Sequence, residues 1–120
     1  MSSSAFKRKL SGSVDGKAIL VVATATPGTT IHTAVAGTTA GTFDEIWLWA
    51  YNGHTADVVL TIEFGGAIVP DQNIIVTIPT KQGLYAVVPG FILQNAMVVM
   101  AYAAVANVVI LTVYVNAITD

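Results

Sequence analysis

The stretch FDEIWLWAYNGHTADVVLTIEF, residues 43–64, decides the fold. Ile46, Leu48 and Ala50 alternate in it with Trp47, Trp49 and Tyr51, the period-two spacing of a β-strand. Asn52-Gly53 follows, a strong tight-turn signal. Residues 57–64 then resume the alternation, with Val58, Leu60, Ile62 and Phe64 on one face and Val59, Thr61 and Glu63 on the other. A strand over residues 43–51 paired antiparallel with one over 57–64 is therefore expected.

The same punctuation continues in both directions. Runs rich in Val, Ile and Thr lie between Gly, Pro, Asn and Asp at short intervals. Upstream, strands are expected at residues 17–25 and 30–35, separated by Pro27-Gly28. Downstream they are expected at 74–78 and 83–88, with a short piece at 91–93 beyond Pro89-Gly90. Residues 97–103 and 107–115 read as a final hairpin joined at 103–106. No window carries a capped apolar stripe at helical spacing. About eight strands without a helix predict an all-β chain: an antiparallel β-sandwich, jelly-roll-like, with an extended N-terminal arm. Residues 1–10 are assigned to the arm and 11–120 to one domain.

Several strands are apolar on both faces. In the last, Val109, Leu111, Val113 and Val115 face one way, and Val108, Ile110, Thr112 and Tyr114 the other. A sandwich strand ordinarily alternates apolar-in with polar-out. An apolar outer face implies a cover, and a neighbouring subunit supplies one. Composition points the same way. Of the 120 residues 54% are hydrophobic and 10% charged, against about 25% charged in an ordinary soluble domain. A folded monomer of 12.5 kDa exposes roughly 6,200 Å², so charges are spread thinly, and residues 82–119 carry none. Burial of part of this surface in an assembly is expected.

The chain contains no cysteine, which removes disulfides and thiolate chemistry. Its net charge of −2 gives no general pull toward nucleic acid or an anionic membrane. Residues 97–115 approach the length of a membrane span. They are β-branched, interrupted by Asn107 and without a basic flank, so strands are the better reading. No secretory signal is expected, because no apolar run follows the early basic residues.

Catalytic patterns are missing. His32 and His54 are the only imidazoles and share no ligand spacing; His32 is expected as a hydrogen-bonded packing residue and His54 as an exposed turn residue. Asp44 and Glu45 are adjacent and point to opposite faces of a strand, so they cannot work as a pair. No nucleophile elbow, phosphate loop or calcium loop occurs. Neither a cofactor nor a metal site is expected. Trp47, Trp49 and Tyr51 on one strand face suit either a subunit contact or a sugar-stacking platform. Lys7, Arg8 and Lys9 form the one basic cluster.

The runs SGSVDGKAILVVATATPGTTIHTAV, FDEIWLWAYN, LTIEFGG, GLYAVVPG and NVVILTVYVNAI together resemble small structural proteins of tailed-bacteriophage particles. The likeness lies in the overall pattern from about Ser11 onward rather than in a single motif. It implies a virion component without catalytic residues, of the kind that decorates or cements the outside of the head as a homotrimer bound to the major capsid protein. A neck, connector or tail component is the alternative within the particle, and a carbohydrate-binding adhesion module the alternative outside it. The contact residues expected on this reading are Lys7, Arg8, Lys9, Trp47, Trp49, Tyr51 and Tyr114, the basic three meeting acidic patches on the shell lattice.

Overall fold

The computed structural model describes residues 4–120, which form nine strands and no helix. The strands are β1 (Ser4–Arg8), β2 (Ile19–Leu20), β3 (Thr29–Thr33), β4 (Thr42–Asn52), β5 (Val58–Phe64), β6 (Asn73–Ile78), β7 (Tyr85–Leu93), β8 (Val98–Ala103) and β9 (Val109–Thr119). They make two antiparallel sheets. The first has the order β1-β9-β4-β7, with β2 also paired to β9; the second has the order β3-β8-β5-β6. Strand pairing is nested: β2 with β9, β3 with β8, β4 with β7 and β5 with β6. This is the winding of a jelly roll, as the strand pattern predicts.

The core lies between the inward faces of the sheets. Ile46, Leu48 and Ala50 from β4 meet Leu60 and Ile62 from β5 within one cluster, all 0% exposed, together with Val99 and Ala101 from β8. Burying each large aliphatic side chain stabilises the fold by about 1.5–3 kcal/mol. Each of these residues alternates with an outward neighbour, so the pleat alone chooses which side chains enter the core.

Two expected hairpins do not form. β4 and β5 lie in different sheets, and so do β8 and β9. Asn52 explains the first case. Its side chain is fully buried; Nδ2 donates to the carbonyls of Ala56 (3.0 Å) and Ile78 (2.9 Å), while Oδ1 accepts from the His54 amide (2.8 Å). The two-residue hairpin turns need positive φ at the first turn residue, and in type I′ at both; neither Asn52 nor Gly53 has it. The side chain instead steers the chain across to the second sheet. Between β8 and β9, the Ala104 amide donates to Val59 and the Asn107 amide to Val21, so this link also bridges the sheets.

The strand expected at residues 17–25 is regular only at Ile19–Leu20. Beyond it, the Val21 amide donates to Val109 in the first sheet, and Ala23 accepts from Ala103 in the second. Conversely, β7 runs straight through Pro89-Gly90. It is an edge strand, where a missing amide costs no ladder bond, and its pairing with β4 shifts register twice. Gly90 adopts φ +82°, and a Cβ there would stand 2.8 Å from the Trp47 ring. Only glycine satisfies both demands.

Of the expected arm, residues 1–3 lie outside the described residues. Ser4–Arg8 run extended and pair with Val115–Thr119 of β9, with all five residues exposed. Leu10 is 2% exposed and belongs to the core cluster.

Candidate functional site, an aromatic sheet face

Because Ile46, Leu48 and Ala50 point inward, Trp47, Trp49 and Tyr51 are carried onto the outer face of the first sheet. The register places Tyr114 opposite Trp47, Thr112 opposite Trp49 and Ile110 opposite Tyr51. On the other flank, Pro89 stands opposite Trp47 and Ala86 opposite Trp49. Leu20 of β2 extends the row beyond Ile110. Trp49 is 37% exposed and Leu20 42%. The result is an apolar face several strands wide in a single copy of the chain.

One end of this face is polar and fixed. The rings of Trp47 and Tyr114 lie 6.4 Å apart at 35°, and the Lys7 ammonium sits 4.5 Å above the Tyr114 ring. That is a cation–π arrangement. Glu45 Oε1 accepts from Trp47 Nε1 (2.8 Å) and Asn116 Nδ2 (3.0 Å). These two donors, Asn116 first, hold the Glu45 carboxyl below its ordinary range. Trp47 is thus locked by its own N–H, by Tyr114 and by Gly90 beneath its ring. A rigid aromatic side chain loses little freedom when another surface covers it, which is what a contact anchor requires.

Of the seven expected contact residues, the structure gathers Lys7, Trp47, Trp49, Tyr51 and Tyr114 on this face. It separates Arg8 and Lys9. They line a cleft of about 640 Å³ at the end of the sandwich, with Ser11, His32, Phe43 and Asp44 among its other walls. The Lys9 ammonium donates to the Ser13 carbonyl at 3.2 Å.

A buried His32–Asp44 pair forms part of that cleft. Nε2 of His32 lies 2.7 Å from Asp44 Oδ2, joining β3 of one sheet to β4 of the other. Nδ1 accepts from the Ser11 amide at 2.9 Å. An amide can only donate, so the ring carries its proton on Nε2 and gives it to Asp44. Both ring nitrogens are therefore committed. The Ser11 hydroxyl oxygen accepts from the Thr33 amide (2.7 Å) instead of meeting the ring. The arrangement is a clip between sheets, and His32 is the hydrogen-bonded packing residue expected. His54, expected to be exposed, is half-buried behind the Asn52 turn.

A third polar centre was not foreseen. Glu63 is 0% exposed although it lies on the outer side of the second sheet. The loop between β2 and β3 crosses above it, with Thr26 Oγ1 donating at 2.5 Å and the Gly28 amide at 2.7 Å. Gly28 permits the crossing, since a Cβ there would lie 2.6 Å from the Ala101 main chain. Among the described residues no group of three or more potential side-chain ligands could hold a metal ion, and no helix is long and apolar enough to cross a membrane. No known protein family, curated protein or solved structure matches the chain.

Proposed function

We propose that the protein is a non-enzymatic structural component of a tailed-phage virion, a head decoration or cement protein that binds the major capsid protein as a homotrimer on the outer surface of the head. The observation that carries this reading is the aromatic face of the first sheet, left open to solvent in one copy. An apolar surface of this breadth on a chain with few charges calls for a protein cover. Subunit contact fits Trp47 better than sugar stacking does, because its ring is already held between Tyr114 and Gly90. The jelly roll supports the reading only weakly, since the same fold serves capsid and lectin domains alike.

On this reading, the aromatic face joins copies of the chain. β1, with Arg8 at its end and Lys9 just beyond it, meets acidic patches on the shell. A trimer presents three such strands, so weak individual contacts sum by multivalency. Two measurements test the proposal. Sedimentation of the purified chain should give a trimer; a ring of higher order would favour a connector instead. Gold-labelled antibody raised against the chain should decorate the heads of tailed-phage particles that encode it. Label confined to the neck or tail would favour the alternative position, and the absence of label on intact and opened particles would overturn the proposal.

A further inference from the structure

The two sheets have four edges, and three are blunted. The β1/β2 edge of the first sheet is split between two strands and flanked by Lys7, Arg8 and Lys9. The β7 edge carries Pro89, the positive-φ Gly90 and two register shifts. The β3 edge shifts register between Thr30 and His32, and the Thr29 hydroxyl accepts the amides of Val22 and Ala23 from the loop beside it. These are devices that stop sheets from adding further strands. Within its own six residues the fourth edge, β6, has none of them, and Pro79 closes it off directly after Ile78. Its sequence, Asn-Ile-Ile-Val-Thr-Ile, contains no charge, proline or glycine, and its pairing with β5 is unbroken from Val58↔Ile78 to Glu63↔Asn73.

The phase of the ladder shows which groups are free. The Phe64 amide donates to the Gln72 carbonyl. Main-chain bonds alternate along an antiparallel pair, so Ile74, Val76 and Ile78 turn their main-chain groups toward β5. Asn73, Ile75 and Thr77 turn theirs outward. Among the described residues the outward groups of Ile75 and Thr77 have no partner, and Ile75 is 62% exposed.

Charge then selects an occupant. Between Glu63 and Asp120 the chain has only two charged residues, Asp71 and Lys81, of opposite sign and equally distant in sequence from Val76. Both are exposed. We infer that β6 pairs antiparallel with β6 of a second copy of this chain, about a two-fold axis at Val76. This register brings Asp71 of each copy to the end of the strand where its partner's Lys81 lies. It sets Ile75 against the partner's Thr77, closing four main-chain hydrogen bonds across the axis. Any register moved by two residues keeps hydrogen bonds but separates the charges. The two second sheets become one continuous sheet. The contact uses neither the aromatic face nor β1, so it stands or falls independently of the assembly proposed above.

The absence of cysteine makes the test direct. Val76 would face its own symmetry mate at a non-hydrogen-bonded position, with Cα atoms about 4.5 Å apart, within disulfide reach. Val76→Cys should form covalent dimers under mild oxidation at least about tenfold faster than Val14→Cys, whose thiol would sit on an exposed loop away from this edge. Asp71→Lys should weaken self-association by roughly tenfold, and the Asp71→Lys/Lys81→Asp double variant should restore it. Equal cross-linking of the two cysteine variants overturns the inference. So does a double variant that associates no better than Asp71→Lys.

Discussion

The outer faces of the two sheets are built from similar strands and end in opposite conditions. At the middle of the second sheet, Thr61 and Glu63 are 4% and 0% exposed, and the loop between β2 and β3 is bonded over Glu63. At the middle of the first, Trp49 stands open to solvent between Thr112 and Ala86. The second sheet carries part of its cover within the chain, anchored by the Glu63 carboxyl, to which that loop donates two hydrogen bonds. The first carries aromatic rings and no such anchor over Trp49. An exposed sheet of one chain is thus closed by its own loop on one side and, on the proposed reading, by another molecule on the other.

Four changes break or sharpen this contrast. The largest effect is expected from Glu63→Ala, which strands the Thr26 hydroxyl and the Gly28 amide beneath their loop. Urea denaturation should show a loss of about 2–4 kcal/mol. Gly28→Ala attacks the same cover from the other side, forcing a methyl group against β8 at Ala101, and should cost about 1–3 kcal/mol. On the open face, Trp49→Ser should change the stability of an isolated copy by less than about 1 kcal/mol and yet lower the sedimenting mass. If folding stability collapsed while the mass stayed constant, the face would be part of the core rather than a contact.

The smallest effect concerns Glu45. Its carboxyl is held below the ordinary range in the folded chain, so the stabilisation it gives is complete above the usual carboxylate pKa. It disappears as the pH falls through the lowered folded value. Acid titration should therefore shift Trp47 fluorescence below the normal Glu range, and Glu45→Gln should remove that step.

Strand identity was legible because it rests on alternation, a property of neighbouring residues. The aromatic face was legible for the same reason, since Trp47, Trp49 and Tyr51 share one strand. What alternation cannot give is partnership. Asn52-Gly53 reads locally as a hairpin, and only the Ile78 carbonyl, 26 residues away, shows why it is a crossover. The His32–Asp44 clip needs β3 and β4 to meet across the core from different sheets. Pro89-Gly90 reads as a break, but an edge position and a glycine fitted beneath Trp47 let the strand continue. The Glu63 cover depends on a loop 35–37 residues earlier in the chain.

The nested pairing has a temporal consequence. β2 and β3 find their partners in β9 and β8, made long after them. Neither sheet can close until β8 and β9 have left the ribosome, and β2 and β3 must wait until then with their apolar side chains unsatisfied. Such non-local winding folds slowly and exposes sticky segments while it does so.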